Sequence, residues 1–396
     1  MSSLQHVLIL TREYYHPKLQ RVGGTGVFNS VLAKELVKNG IKVSVFAVNK
    51  NTVSFDDQGV EVYSIKGIFE RNFLLEFLRS VTGKIGFLKP LHFKIYEHEK
   101  KAIQKQLNNW IRTNNYKINL IETHDFEGMA LCIDERIPYV IRCHGSWTVL
   151  EKYFNYKNVS QGRTHCEKLA FEKSRNNIVI SNFSKRINER FFNIKNARLI
   201  YNGIDTDFFK PNATNSILAK SIFYLGNVSS EKGAELAIGS FLKVKKSFPE
   251  STLHFIGKVN LSDLYIQENI MKNNIQESVF FYGEKKKEEI VELISRAEIV
   301  YFPSKGENFS LSLLEVMAMG KPVICSDIDS FREIIVNNEN GLIASGVSEF
   351  YMHTKKLFND SELRTRLSEN ARETVVKQFD LKKMIQATIS YYKEII

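Results

Sequence analysis

Glu307 and Glu315 are two carboxylates in one short unit, residues 299–327, whose pattern reads as strand, loop, helix, glycine stop and strand. The apolar run Ile299–Phe302 ends at Pro303, and Lys305–Phe309 forms the loop. Ser310 or its neighbour opens a helix whose apolar face is Leu311, Leu314, Met317 and Ala318. Gly320 closes that helix, Pro322 follows as a stop signal, and Val323–Cys325 starts the next strand. Open α/β sheets bind anionic ligands where a loop leaves the C-terminal end of a parallel strand and feeds a helix N-terminus. With one carboxylate in that loop and another inside the helix, the unit reads as half of a binding site for a phosphorylated, hydroxyl-rich molecule.

Other residues could join such chemistry. Gly23, Gly24 and Gly26 stand at the start of a helix, about Val27 to Lys38, between the strands Val7–Leu10 and Lys42–Val48. Backbone amides there can approach a phosphate closely. The spacing is not a dinucleotide fingerprint, and the second strand runs into Asn49 and Lys50 with no acidic residue for a ribose. A tight loop with no ligand explains these glycines at least as well. His124 follows the strand Ile118–Glu122, and His144 follows Tyr139–Arg142, so both stand at the rim where α/β sites form. Gly226 follows the strand Ser221–Leu225 and leads by a loop to Lys232 and Gly233.

The elements that must position these groups alternate between β and α throughout. Helices are expected near Glu97–Asn109, over Glu167–Arg175, and from about Lys185 with Ser184 as its cap. A polar stretch, 210–220, reads as a linker, and a second α/β series follows it. The last helix, about Leu381–Ile396, carries apolar positions at Leu381, Met384, Ile385, Ile389, Tyr392 and Ile395. A chain of 396 residues can fill two cores, so the expectation is two doubly wound domains facing a central cleft.

Composition narrows the classes. A 43% hydrophobic and 25% charged chain is globular, and its apolar runs are far shorter than the roughly 20 residues that span a bilayer. The N-terminal stretch has a short apolar core, Val7–Leu10, and no basic leader, and the four cysteines show no metal-ligand spacing. A cytoplasmic location is expected. The net charge of +11 is uneven: residues 1–200 hold 31 Lys and Arg against 18 Asp and Glu, while the remainder holds 24 against 26. An anionic surface or substrate facing the first half is one reading, and a solvated basic face is the other. Residues 68–94 interleave Phe and Leu with Arg71, Arg79, Lys84, Lys89 and Lys94. Such a stretch can lie on an anionic membrane. Phe73, Leu74, Phe77 and Leu78 also fit one buried helical face, and that core reading is preferred here.

The ordered set of motifs resembles the family-4 retaining glycosyltransferases of the GT-B fold over essentially the whole chain. The most specific match is Glu307 and Glu315 within PSKGENFSLSLLEVMAMGKPVI. Pro17 with Gly23-Gly24, His144-Gly145, Ile200–Asp205, Gly226 with Lys232-Gly233, and Phe255–Gly257 follow the family's order. The resemblance implies a sugar transfer, hexosyl or N-acetylhexosaminyl, from a nucleotide diphosphate-sugar (UDP before GDP) to a saccharide or lipid-linked acceptor. Cell-surface polysaccharide or glycoconjugate synthesis is the implied setting. It also implies that Glu315 accepts ribose hydroxyls and Glu307 those of the donor sugar. Amides at Phe309, Ser310 and Leu311 would cradle the diphosphate, and Lys232 would neutralise its growing charge. Gly24 would admit a phosphate to the backbone, and His144 would line the sugar pocket.

Two departures stand out. Asn227 occupies the place where the family usually carries Arg, so one cation is missing unless Lys258 or another base replaces it. Ser310 stands where Gly is commoner, which a helix start tolerates.

The implied division is an acceptor domain over 1–205, a donor domain over 206–376, and a terminal helix, 377–396, packing back on the first. The triplet Asp205-Thr206-Asp207 superficially suggests a metal site, but Asp after Asn202-Gly203 commonly serves the local backbone. No cofactor or metal is expected, since Lys232 and a helix terminus can serve the diphosphate. The implied partners are donor and acceptor, and the basic first half adds an anionic membrane surface on the inner face as a candidate partner; nucleic acid is disfavoured by the acidic-leaning second half. A nucleotide-sugar epimerase of the same fold is the alternative. An NAD-dependent dehydrogenase is disfavoured by the missing fingerprint.

Overall fold

Continuous apolar runs become strands covered on both faces. β1 (His6–Thr11) is buried at every position, as a central parallel strand between helical layers must be. The structure is a computed structural model and describes residues 4–19, 23–194, 196–212, 215–259 and 264–396. Residues 20–22 of the glycine loop and 213–214 of the expected linker lie outside the described residues. The chain divides into a first unit, 1–201 with 385–396, and a second, 202–384. These divisions fall at Tyr201 and Met384, where the motifs alone suggest 205 and 376.

In the first unit β2 (Lys42–Asn49), β3 (Val53–Asp57), β4 (Val60–Lys66) and β5 (Leu120–His124) join β1. β6 (Tyr139–Cys143), β7 (Asn177–Val179) and β8 (Ala197–Leu199) complete a sheet of order β3-β4-β2-β1-β5-β6-β7-β8. All neighbours are parallel except the hairpin β3–β4. Leu8, Phe46, Leu107, Trp110, Ile121 and Ile141 share one core cluster. The helix Gly24–Lys38 presents Phe28, Leu32, Ala33 and Leu36 inward, spaced for one face, and Gly40 ends it at φ 78°.

The second unit contains β9 (Ser221–Leu225), β10 (Thr252–Ile256), β11 (Val279–Phe281), β12 (Ile299–Phe302), β13 (Val323–Ser326) and β14 (Leu342–Ala344). They form one all-parallel sheet of order β11-β10-β9-β12-β13-β14. Ile222, Phe241, Phe255, Tyr301, Phe350 and Leu357 lie in its core cluster. Both units are therefore doubly wound, as expected.

Three local expectations are corrected. The helix Asn182–Phe192 is capped by Ser181, whose side chain accepts from the Ser184 amide, so the cap lies three residues earlier than Ser184. The helix near Glu97–Asn109 is longer, Lys89–Thr113, with Pro90 in its first turn, where the N–H that proline lacks would have no intrahelical acceptor. Phe73, Leu74, Phe77 and Leu78 are not core. All four are exposed on the helix Phe73–Thr82. That helix turns its polar side inward: Arg79 donates to the Tyr96 hydroxyl at 3.0 Å, and Thr82 is 3.1 Å from His92 Nδ1.

Candidate active site

The order of the second sheet reverses between β9 and β12, which pair in parallel, so the loops leaving both strands start side by side. Such a switch point is where open α/β sheets hold ligands. The loop after β9 begins at Gly226, φ 150°. A Cβ on neighbouring Gly257 would lie 2.1 Å from the Gly226 carbonyl, so only glycine allows these turns to touch. Beyond them Val228 bridges Val259, which sets Lys258 beside the exposed Asn227. The Tyr224 hydroxyl fastens the loop by donating to the carbonyls of Asn227 and Lys232 at 2.7 and 3.0 Å.

The two loops clasp each other. Gly233 has φ 72°, and a Cβ there would lie 1.9 Å from the Pro303 carbonyl. Lys305 donates its amide to the Glu231 carbonyl at 2.9 Å and its ammonium to Ser230 Oγ at 2.7 Å. At this junction Lys232 Nζ lies 2.5 Å from Glu307 Oε1, and Ser304 Oγ donates to the same oxygen at 3.0 Å. The Lys232 ammonium remains partly exposed while Glu307 is more enclosed.

Ser310 caps the helix Leu311–Ala318, accepting from the Leu313 amide at 3.3 Å. The first amides of a helix have no intrahelical acceptor and carry the positive end of its dipole. Phe309, just before the cap, packs against Phe379 with ring centroids 5.9 Å apart. Glu315, half-buried, lies on this helix. Burial pushes its carboxyl up to about 7, against the opposing pull of Lys287. Among the described residues its carboxylate has no hydrogen-bond partner. The structure thus brings Lys232, Glu307, Ser310 and Glu315 to one strand edge, with Asn227 on the adjacent loop. Asp205 accepts from the amides of Asp207 and Phe208, both at 3.0 Å, and so serves its own turn.

The first sheet reverses between β1 and β5, and its candidates surround that point. Gly24 opens the helix after β1, and a Cβ on it would meet nothing within 4 Å. His144, just past β6, lies edge-on to Phe28 of the same helix with centroids 4.6 Å apart. Burial first, then Arg142 and His124, hold its imidazole well below the usual range and therefore neutral at pH 7. His124 has a structural duty: its Nε2 accepts the Arg12 amide at 3.0 Å.

Several residues here escape motif reading. Asp125 Oδ1 and Oδ2 accept the amides of His144 and Gly145 at 3.1 and 3.0 Å, and burial pushes its carboxyl up to about 7. Glu167 accepts from the amides of Glu127, Trp147 and Thr148, tying the turns together; burial pushes it to about 7 as well. The place of Asp125 directly after the strand that ends in His124 was a usable signal; Glu167 had none. A charged cavity of about 340 Å³ opens beside this rim, lined by Arg12, Arg79, Arg163, Glu99 and Glu127 among others.

Comparison with known proteins adds the following. A family model described as Glycosyltransferase Family 4 matches residues 22–208, and one described as Glycosyl transferases group 1 matches residues 209–374. An uncharacterized glycosyltransferase of Methanocaldococcus jannaschii is 25% identical, with 96% of each chain covered. Among solved structures, sucrose-phosphate synthase of Thermosynechococcus elongatus aligns at TM-score 0.76 and 18% identity over 98% of each chain. The Anabaena protein HepE in complex with UDP aligns at TM-score 0.70 and 16% identity, covering 98% of this chain and 100% of its own.

Proposed function

The chain belongs to the glycosyltransferases of family 4 and group 1 and has their GT-B fold, and from that we propose that it transfers a sugar from a nucleotide diphosphate-sugar to a saccharide or lipid-linked acceptor. The anomeric carbon keeps its configuration: its bond to the diphosphate oxygen breaks, the acceptor oxygen bonds to it on the same face, and the acceptor's proton passes to the departing diphosphate. No metal ion takes part. The observation that carries this reading is the pair of carboxylates at the switch point of the second sheet. Glu307 is paired with Lys232, and Glu315 is half-buried without a hydrogen-bond partner among the described residues. A ribose supplies the hydroxyl donors that the ionised form of this half-buried carboxyl lacks.

In this reading Glu315 holds the ribose, Glu307 holds sugar hydroxyls, and the amides of Phe309, Ser310 and Leu311 hold the diphosphate. Lys232 meets the charge that grows on the leaving diphosphate. Asn227 donates a hydrogen bond without charge, and Lys258 beside it supplies the missing cation. In the first unit Gly24 admits a phosphate to the backbone, His144 lines a sugar pocket as a neutral group, and the charged cavity suits a hydroxyl-rich acceptor. UDP is the first nucleotide to try, because the Anabaena neighbour of this fold binds it. The surplus of positive charge in residues 1–200 suits an acceptor carried on an anionic membrane, in polysaccharide or glycoconjugate synthesis. An epimerase is not favoured, since both matched family models are of transferases.

A thermal-shift panel of nucleotide diphosphate-sugars, run with a chelator, tests the reading. A true donor at 100 times its Kd stabilises by about 2.7 kcal/mol through mass action. No shift with any UDP- or GDP-sugar overturns it, and a shift that appears only with a divalent cation overturns the metal-free part.

A further inference from the structure

The helix Phe73–Thr82 is amphipathic in the opposite sense to a helix packed on its own domain. Its inner side is polar: Arg79 is bonded to Glu76 and to the Tyr96 hydroxyl and lies over the Phe69 ring, and Thr82 faces His92. Its outer stripe is Phe73, Leu74, Phe77 and Leu78, with Phe73 86% exposed. After Gly83 the chain makes a short turn, Gly86–Leu88, in which Phe87 is 83% exposed, and Leu91 of the following helix is exposed as well. Arg71, Lys84, Lys89 and Lys94 are all exposed among these apolar residues. Residues 68–94 hold five basic residues against two acidic ones, and one of the two, Glu76, is already paired with Arg79.

We propose that this segment docks on an anionic lipid bilayer. The helix lies in the interfacial plane with Phe73, Leu74, Phe77, Leu78 and Phe87 among the upper acyl chains, and the basic side chains reach the lipid phosphates. Water-exposed aromatic and aliphatic side chains gain by entering that layer, and each nearby Lys or Arg adds attraction to anionic headgroups. A second copy of the chain fits the face less well. A two-fold contact would set the basic cluster of Arg71, Lys84, Lys89 and Lys94 against the same cluster of the second copy. The placement is functional too. The segment follows the C-terminal end of β4, at the same edge of the first sheet as the loops bearing Arg12, Asp125 and His144. A docked bilayer would deliver a lipid-linked acceptor to that rim. The inference deepens the membrane part of the proposed function and rests on the transferase reading only for what the bilayer carries.

Sedimentation with vesicles tests it, using phosphatidylcholine alone and phosphatidylcholine with about 30% phosphatidylglycerol. The full chain should bind the anionic vesicles and release them in about 0.5 M salt. A Phe73→Ser/Phe77→Ser variant should bind at least about tenfold more weakly, because it loses the inserted apolar groups. A Lys84→Glu/Lys89→Glu variant should lose binding at low salt. The Phe73→Ser/Phe77→Ser variant must keep the parent's melting temperature and its donor-induced thermal shift, so a failure of donor binding is read separately from a failure of docking. Three results overturn the proposal: no binding by the parent, unchanged binding by the serine variant, or a parent dimer that the serine pair dissolves without any vesicle binding.

Discussion

Glu315 is a carboxylate whose environment works against its charge. Burial raises its pKa to about 7 from the ordinary 4.5, so the free protein binds a proton there that the unfolded chain releases. The stabilisation from that proton is fully present below about pH 4.5 and is lost as pH rises through 7. Ribose hydroxyls favour the ionised form, so donor binding should release the proton. Donor affinity, measured by calorimetry, should therefore be about tenfold weaker at pH 6 than at pH 8. Glu315→Gln should flatten that dependence, weaken binding, and raise the melting temperature of the empty protein at pH 8. An unchanged pH profile in the variant would remove Glu315 from the ribose. Lys232 makes a different prediction, because its partner Glu307 is already in place. Lys232→Ala and Glu307→Ala should each lower turnover at least about tenfold, the worth of one charge-assisted contact at roughly 1.5–3 kcal/mol. Steady-state rates equal to the parent's in both variants would sink the assignment. Glu307 and Glu315 were legible as a pair because they lie close together in one strand–loop–helix unit, whereas only the fold sets Lys232, far earlier in the chain, against Glu307. Asp125 at least stands at a strand end, but Glu167 was harder to see: it accepts backbone amides from turns distant in sequence, and no run of residue types records that.

Two glycines at the starts of helices separate shape from function at the level of elements. Gly233 sits at φ 72° with the Pro303 carbonyl where a Cβ would go, whereas Gly24 has open space on its Cβ side and no positive φ. Gly233→Ala should destabilise the second unit by about 2 kcal/mol or more, through left-handed strain plus the clash, and lower its melting temperature. Gly24→Ala should leave stability unchanged or raise it by up to about 1 kcal/mol, since Ala is the better helix former. If a phosphate approaches the backbone at Gly24, the donor KM rises with no loss of stability; a KM equal to the parent's denies it that role. The same scale shows where pattern reading stops. Alternation of strands and helices revealed both doubly wound sheets, because buried parallel strands are written as short apolar runs. The hairpin β3–β4 was not read, because its two-residue turn uses Gln58 and Gly59 at positive φ in place of the usual Asn-Gly signal. Periodicity also identified the 73–82 face as apolar but not which way it points. That was decided by Tyr96 and His92, which take up the helix's polar side from another helix.

At the scale of the whole chain, the two units are not equal in how they can be cut. The second is continuous, 202–384, whereas the first needs 385–396 from the far end of the sequence. That terminal segment does more than cover a surface. Tyr392, fully buried, donates to Glu122, and Arg142, also fully buried, donates to Glu122 at 2.8 and 3.2 Å and to Thr388 at 3.2 Å. Removing residues 385–396 leaves the Glu122–Arg142 pair without Tyr392 and Thr388 and exposes apolar surface beneath Tyr391 and Tyr392. The loss should be about 3–5 kcal/mol, a large part of the roughly 5–15 kcal/mol that holds a domain together. A fragment of residues 202–384 should therefore melt cooperatively on its own and keep its nucleotide-sugar thermal shift. A fragment of residues 1–201 should melt at least about 10 °C below the first unit of the full chain. Joining 385–396 to residue 201 through a flexible linker should restore that transition, while the same fusion carrying Tyr392→Phe should recover only part of it. Equal melting of the 1–201 fragment with and without the terminal segment would show that the buried Glu122–Arg142 pair does not depend on the helix, and that the return of the chain to its first sheet serves something other than stability.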